Sequence, residues 1–224
     1  MKVCACCILK MENKYIREWV EHYKSIGCDN VILYDNNDLD GEKLEDVIED
    51  YIDNGFAIIE NAKGKQQYQC IAFRHCFDKY RKNYDWICLL DADELLSCSD
   101  VKTFLNNEKF QSFNCVRVCW RLFDDSNIVE ANGDYSMLKR FNTYRNCRQC
   151  KSIINTKFDI RSRFSPHGPL NVNCCDVNGN KCWSHNEFIG ETVSDKNYQV
   201  WINHYYMKTI DEFVTGKMIR LYPD

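Results

Sequence analysis

Val3-Cys4-Ala5-Cys6-Cys7-Ile8-Leu9 is an unbroken apolar run between two lysines, the pattern of a strand buried on both faces. Beyond it stands Asn13, a residue able to cap a helix. Tyr15, Ile16, Trp19, Val20, Tyr23 and Ile26 then recur every three or four positions, which predicts a helix that Gly27 can end. Val31-Ile32-Leu33-Tyr34 predicts a second strand. Leu44, Val47, Ile48, Tyr51 and Ile52 predict a second helix that stops near Asn54-Gly55. A third strand follows at Phe56-Ala57-Ile58-Ile59. A third helix is expected over about residues 67–81, with Tyr68, Ile71, Ala72 and Phe77 inward. Trp86-Ile87-Cys88-Leu89-Leu90 is short and apolar throughout, as strands in the middle of a parallel sheet are.

Four strand–helix alternations in the first hundred residues predict a doubly wound α/β sheet. In such sheets ligands bind beyond the carboxyl ends of the strands. Two acidic segments fall there: Asp35-Asn36-Asn37-Asp38-Leu39-Asp40 after the second strand, and Asp91-Ala92-Asp93-Glu94 after the fourth. The second half reads differently. Asn114 to Trp120 predicts a strand, residues from about 124 to 200 read as irregular, and a strand returns over residues 200–206. Thr209-Ile210-Asp211-Glu212 matches a capping box, so a helix should follow with Ile210, Phe213, Val214, Met218 and Leu221 at helical spacing. With no linker or repeat, residues 1–224 are expected to form one domain of two unlike halves, 1–100 and 101–224. The ending soon after a predicted helix would suit a domain cut from a longer protein.

Composition narrows the function. Lys plus Arg number 29 and Asp plus Glu 33, a net charge of −4, which argues against general binding of nucleic acid. With 45% hydrophobic and 13% aromatic residues, the chain has the means to build a core. No apolar run approaches the roughly 18 residues of a membrane span. The fifteen cysteines are odd in number and many sit in apolar runs, where a free thiol behaves as a small hydrophobe. They point to a reducing, cytosolic compartment. Cys147, Cys150, Cys174, Cys175 and Cys182 raise a zinc knuckle as a rival, but their spacing lacks a clean second pair, so free thiols are the preferred reading.

The strongest chemical signal is Leu89-Leu90-Asp91-Ala92-Asp93-Glu94. An apolar strand delivers two carboxylates, one residue apart, at its open end. Oxygen ligands so placed suit Mg²⁺ or Mn²⁺ bridging to substrate phosphates. A turn there would splay the two acids toward different partners. Solvated turn acids are the bland alternative. An aspartyl-nucleophile phosphatase would carry its D-x-D on the first strand, with Thr or Val where Leu95 stands. A nucleotidyltransferase would carry a glycine-rich phosphate loop after that strand, and residues 5–14 contain no glycine.

Four stretches together resemble the GT-A glycosyltransferases, near family 2 and the family 92 type of domain. They are Lys10-Met11-Glu12-Asn13 with Ile16 and Trp19; Gly27 to Asn36; Asp85 to Glu94; and Asn203-His204-Tyr205-Tyr206-Met207-Lys208-Thr209 with Glu212, Phe213 and Lys217. The resemblance spans nearly the whole chain. It implies a GT-A fold, a Rossmann-like mixed sheet flanked by helices, and a metal-dependent hexosyl transfer from a UDP-sugar to a glycan or lipid-linked glycan. It also implies inversion and a Mn²⁺ (or Mg²⁺) cofactor. Asp93, His204 and Asp91 match the metal site, Asp93 and His204 as its ligands and Asp91 as the catalytic carboxylate that faces the ribose or metal-bound water. The implied donor-binding set is Glu12, Asp35, Lys65, Asp91, Ala92, Asp93 and Lys208. For Glu12 and Asp35, helix N-terminal charge and turn formation are equally open readings.

An inverting transfer needs a base for the acceptor hydroxyl. Asp125, beside Asp124 after Trp120-Arg121-Leu122-Phe123, is the first candidate; Asp134 and Glu187 compete. The family often has glycine in that stretch, where this chain has Asp124-Asp125-Ser126, so the base is not carried over by resemblance. Lys63, Lys65, Lys208 and Lys217 are candidate cations for the leaving diphosphate. Trp120, Trp183 and Tyr144 could stack on acceptor sugars, and Lys151 and His167 could line the acceptor side. The expected setting is cytoplasmic, at the cytosolic face of a membrane; membrane contact is allowed but not shown by the sequence. The rival from a different class is a non-catalytic sugar- or zinc-binding module on a degenerate transferase scaffold.

Overall fold

The structure is a computed structural model that describes residues 1–189 and 198–218, without the side chains of Lys217 and Met218. Its first half alternates as the pattern predicts: β1 (Val3–Leu9), α1 (Asn13–Ser25), β2 (Asn30–Asp35), α2 (Glu45–Asp53), β3 (Ala57–Asn61), α3 (Gln69–Tyr80) and β4 (Trp86–Leu90). Next come β5 (Glu94–Ser97), α4 (Val101–Leu105), β6 (Cys115–Phe123), α5 (Met137–Arg140) and β7 (Tyr144–Asn155). The short strands β8 (Phe164–Ser165), β9 (Gly168–Pro169), β10 (Cys174–Cys175) and β11 (Lys181–Cys182) lead to β12 (Trp201–His204) and α6 (Ile210–Glu212). Among the described residues no helix is long and apolar enough to cross a membrane.

One mixed sheet runs β11-β10-β6-β7-β4-β1-β2-β3, with β12 pairing β5 and β6 off that path. Its β1, β2, β3 and β4 run parallel, while β7 lies antiparallel to both β4 and β6. Alternation along β1 serves both faces. Val3, Ala5, Cys7 and Leu9 pack with Trp19, Tyr23 and Ile48 from α1 and α2, while Cys4 and Cys6 pack with Phe73, Cys76 and Phe77 from α3. The buried cysteines thus fill a doubly covered sheet, where a thiol's small volume lets helices approach closely.

Several expectations are corrected in detail. Asn13 is the first residue of α1 rather than its cap: Glu12 precedes the helix, and no side chain caps it. On α3 the inward face is Ala72, Phe73, Cys76 and Phe77, and Ile71 is 54% exposed. Within the stretch expected to be irregular lies the longest strand of the sheet, the twelve-residue β7. Its outer half, Tyr144 to Gln149, is polar and open, while its inner half buries Lys151, Ser152 and Asn155 beside Ile153 and Ile154. Neither half shows the apolar alternation that betrays a strand. The capping box of Thr209 and Glu212 forms, but α6 ends after Glu212 and continues as a π-helical turn over Phe213–Met218. Ile210 and Val214 on that segment are 45% and 49% exposed. The side chain of Met218 and all of Leu221 lie outside the described residues.

Candidate functional site

β4 ends at Leu90, and the chain turns through Asp91, Ala92 and Asp93 before re-entering the sheet as β5. Glu94 holds that turn closed: its backbone N–H donates to the Asp91 carbonyl at 3.2 Å, and its carboxylate accepts from the Asp91 N–H at 2.9 Å. The turn splays the two aspartates. Asp91 Oδ1 accepts from Gln69 Nε2 at 2.6 Å and lies 2.8 Å from Lys151 Nζ. Asp93 points the other way, its Oδ1 3.5 Å from His204 Nε2. His204 arrives because β12 pairs antiparallel with β5, placing it opposite Glu94, while the Tyr205 N–H donates to the Asp93 carbonyl at 2.8 Å.

A cleft of about 790 Å³ opens at this end of the sheet, where the parallel strands present their carboxyl ends. Its walls include Lys10, Glu12, Lys65, Asp91, Asp93 and His204, with Ala92, Tyr68, Gln69, Trp120 and Tyr206 also exposed to it. A second hollow of about 650 Å³, bounded by Lys2, Arg81, Lys82, Asp85 and Lys157, lies at the opposite strand ends, away from the predicted residues. Trp120 stands in the first cleft between two imidazoles, 4.4 Å from the His204 ring and 5.4 Å from that of His167. Lys65 reaches over the Tyr68 ring at 4.3 Å.

Lys151 is the electrostatic hinge of the site. It is 1% exposed, and its ammonium faces Asp91, Glu94 at 3.8 Å, and the Pro166 carbonyl at 2.8 Å. Burial alone would lower its pKa, but the charges of Asp91 and Glu94 hold it above the ordinary lysine value. Glu94 is fully buried, and desolvation pushes its carboxyl well up despite Lys151. Burial, then Lys151, lowers the His167 imidazole, which meets the Cys150 carbonyl through Nδ1 at 2.8 Å.

The other predicted residues fall in three places. Glu12 lines the cleft but pairs with the Lys208 ammonium at 2.8 Å, which lies 3.5 Å over the Tyr15 ring, so the two form one buried unit. Asp35 is 2% exposed and turned behind the wall, accepting from the Asn37 N–H and amide and pairing with Lys63 at 3.3 Å. Asp125 is away from the cleft walls, in a turn where its carboxylate accepts from the Asn127 N–H at 2.9 Å. Asp134 accepts likewise from Ser136, and neither it nor Glu187 lines the cleft. Trp183 and Tyr144, 38% and 49% exposed, stand apart from it too. Sequence reasoning passed over Gln69, and over Glu94 as the brace of the turn. Glu94's adjacency to the D-x-D was the available signal; nothing in sequence marks Gln69.

Asp93 and His204 offer a carboxylate oxygen and an imidazole nitrogen on one cleft wall, a donor set that suits Mn²⁺ better than the all-oxygen preference of Mg²⁺. Among the described residues no three His, Cys, Asp or Glu side chains converge to hold a cation. A metal here would need oxygen atoms from its substrate to complete its shell. Asp91, tied to Lys151 and Gln69, is committed elsewhere.

Residues 1–162 match the family model of glycosyltransferase family 92. A glycosyltransferase family 92 protein of Ricinus communis is 31% identical over 93 residues, 42% of this chain and 16% of that protein. A second, of Oryza sativa subsp. japonica, is 28% identical over 94 residues, again 42% of this chain and 16% of the relative. The chain therefore spans a small part of the length of the relatives it matches. Among solved structures, TarS of S. aureus covers 99% of this chain and 39% of its own at 12% identity and TM-score 0.50, a likeness that bears out the expected GT-A fold.

Proposed function

The chain belongs to glycosyltransferase family 92, and we propose that it transfers a hexosyl group, with inversion, from a UDP-sugar to a glycan or lipid-linked glycan acceptor with the help of Mn²⁺ (or Mg²⁺). The observation that carries this reading is the convergence of Asp93 and His204, 3.5 Å apart, on the wall of a cleft at the carboxyl ends of a parallel sheet. A metal held by these two residues would supply positive charge to a departing diphosphate.

The chain's own residues do the rest. Lys151 and Gln69 fix the Asp91 carboxylate, whose second oxygen is left to meet a ribose hydroxyl. Lys65 and Lys10 on the facing wall add cationic charge near the diphosphate. The Glu12–Lys208 pair anchors the segment after β12 to the start of α1 and so shapes the nucleotide end of the cleft. Trp120, flanked by His167 and His204, offers an aromatic edge to the sugar. We place the reaction in the cytoplasm, at a cytosolic membrane face, a setting that the cysteine usage supports.

Calorimetric titration of UDP with Mn²⁺, then with excess chelator, tests the reading. Binding should require the metal, and Asp93→Ala and His204→Ala should each weaken it by tenfold or more while the circular-dichroism spectrum stays unchanged. Binding that neither variant disturbs removes the metal assignment. Absence of UDP binding under both conditions favours another nucleotide donor, and after that the non-catalytic binding module.

A further inference from the structure

On β6, three residues before Trp120, Arg117 is buried at 1% exposure without a carboxylate partner among the described residues. Its guanidinium donates to the carbonyls of Trp183 at 2.7 Å and Asn186 at 2.8 Å, and its Nε has no hydrogen-bond partner. The groups around it able to carry negative charge are the thiols of Cys115, Cys150, Cys174 and Cys182. Two neutral carbonyls leave a buried cation uncompensated; a thiolate beside it would remove that imbalance.

Two of those sulfurs are already in contact. β10 and β11 run antiparallel with Cys174 directly opposite Cys182, and their Sγ atoms are 3.5 Å apart. A disulfide needs about 2.05 Å, a gap that side-chain rotation on so short a hairpin can close. We infer that Cys174 and Cys182 form a redox-active dithiol that exchanges with low-molecular-weight disulfides and closes into an intrachain disulfide. The Cys174 thiol donates to the carbonyls of Cys182 and Trp183, each at 3.2 Å, and its contacts with Cys115 and Cys182, then the charge of Arg117, lower it below the ordinary range and so favour its deprotonation. The same guanidinium repels a divalent cation, which disfavours zinc at these thiols.

Exposure sets the order of events. Cys174 is fully buried and Cys182 partly exposed. Cys182 gives its proton to water. The Cys182 thiolate then attacks one sulfur of R–S–S–R, breaking that bond, forming Cys182–S–S–R and releasing RS⁻, which takes a proton from water. Cys174, whose proton leaves to water with the Arg117 charge stabilising the thiolate, attacks Cys182 Sγ, forms the intrachain bond and expels the second RS⁻, which is protonated in turn. The dithiol loses two electrons and two protons, and one R–S–S–R becomes two R–SH. The bond ties β11 to β10 and through Cys174, which pairs with Cys115, to the edge of the main sheet.

The test incubates the reduced full chain with oxidised glutathione under native conditions and maps tryptic peptides without reduction. Cleavage after Lys181 separates Cys174, on the peptide of residues 164–181, from Cys182. Wild type and Cys175→Ser should both yield these two peptides cross-linked. Cys174→Ser should stall as a glutathione mixed disulfide on Cys182, and Cys182→Ser should leave Cys174 unmodified. The inference is overturned if the folded protein gives no such cross-link, or if Cys175→Ser abolishes it. It is equally overturned if Cys182 stays unmodified in Cys174→Ser, or if native mass spectrometry finds a zinc ion in the reduced chain that Cys182→Ser removes.

Discussion

Replacing Glu212 by Gln removes one charge from a buried cluster that ties the segment after β12 to α1 and α5. The Glu212 carboxylate accepts from Arg140 Nη1 at 2.9 Å, from Arg140 Nη2 at 3.2 Å, from the Thr209 N–H at 3.0 Å and from the Tyr15 hydroxyl. The Arg140 and Glu212 side chains are 6% and 5% exposed, so solvent screens little of the pair. Burial alone would raise the Glu212 carboxyl, but Arg140, Tyr15 and Thr209 outweigh it and push it down to about 2 from an ordinary value of 4.5. At roughly 1.36 kcal/mol per pH unit, that displacement contributes about 3.4 kcal/mol of stability. Leaving a buried partner unpaired costs about 3–5 kcal/mol by the general experience of such pairs, which agrees. The sign follows from linkage. Because the folded pKa lies below the unfolded one, the contribution is fully present above about pH 5 and is lost as pH falls through about 2, with about 1.4 kcal/mol left at pH 3. Urea unfolding of wild type and Glu212→Gln, followed by tryptophan fluorescence at pH 7 and pH 3, reads both numbers. The variant should be about 3 kcal/mol less stable at pH 7 and about 1.4 kcal/mol less stable at pH 3. A deficit below about 1 kcal/mol at pH 7, or one equal at both pH values, would refute the charge as the cause.

Two further outcomes follow from the packing of β7. Lys151→Met takes the cation from between Asp91 and Glu94, and should cost about 3 kcal/mol or more in urea unfolding at neutral pH and weaken UDP binding through a displaced Asp91; a loss below about 1 kcal/mol would show that the ammonium is dispensable there. Gly168 has φ +116°, and a Cβ there would meet Ser152 Oγ at 2.3 Å and Ser152 Cβ at 2.5 Å. Gly168→Ala should therefore lower stability by more than about 2 kcal/mol, read as a fall in Tm, and an unchanged Tm would mean that the β8–β9 hairpin can move away from β7 at no cost.

Much of the first half was legible because apolar residues there obey one period at a time. β1 and β4 are unbroken apolar runs, and α1 keeps Tyr15, Ile16, Trp19, Val20 and Tyr23 on one buried stripe. Gly27 and Gly55 follow the first two helices at φ +92° and +76°, conformations that a side chain resists. The D-x-D was legible for the same reason: an apolar strand ending in carboxylates announces where the sheet opens to solvent. β7 escaped because Lys151, Ser152 and Asn155 occupy buried positions that local pattern assigns to apolar residues, and only distant partners such as Asp91 and the carbonyls of Pro166 and His167 make their burial tolerable.

By itself, then, the sequence determined the strand–helix alternation, the two faces of the sheet and the carboxylates at its open end, all of which depend on residues within a few positions of one another. The tertiary structure decided which charges meet. It set Asp91 against Lys151, brought His204 to Asp93 across 111 positions by pairing β12 with β5, closed Glu12 onto Lys208, and turned Asp35 inward to Lys63. Charge pairing has no period along the chain. A carboxylate's partner is fixed by which strands lie side by side and by the low dielectric around them, and neither exists until the sheet has formed.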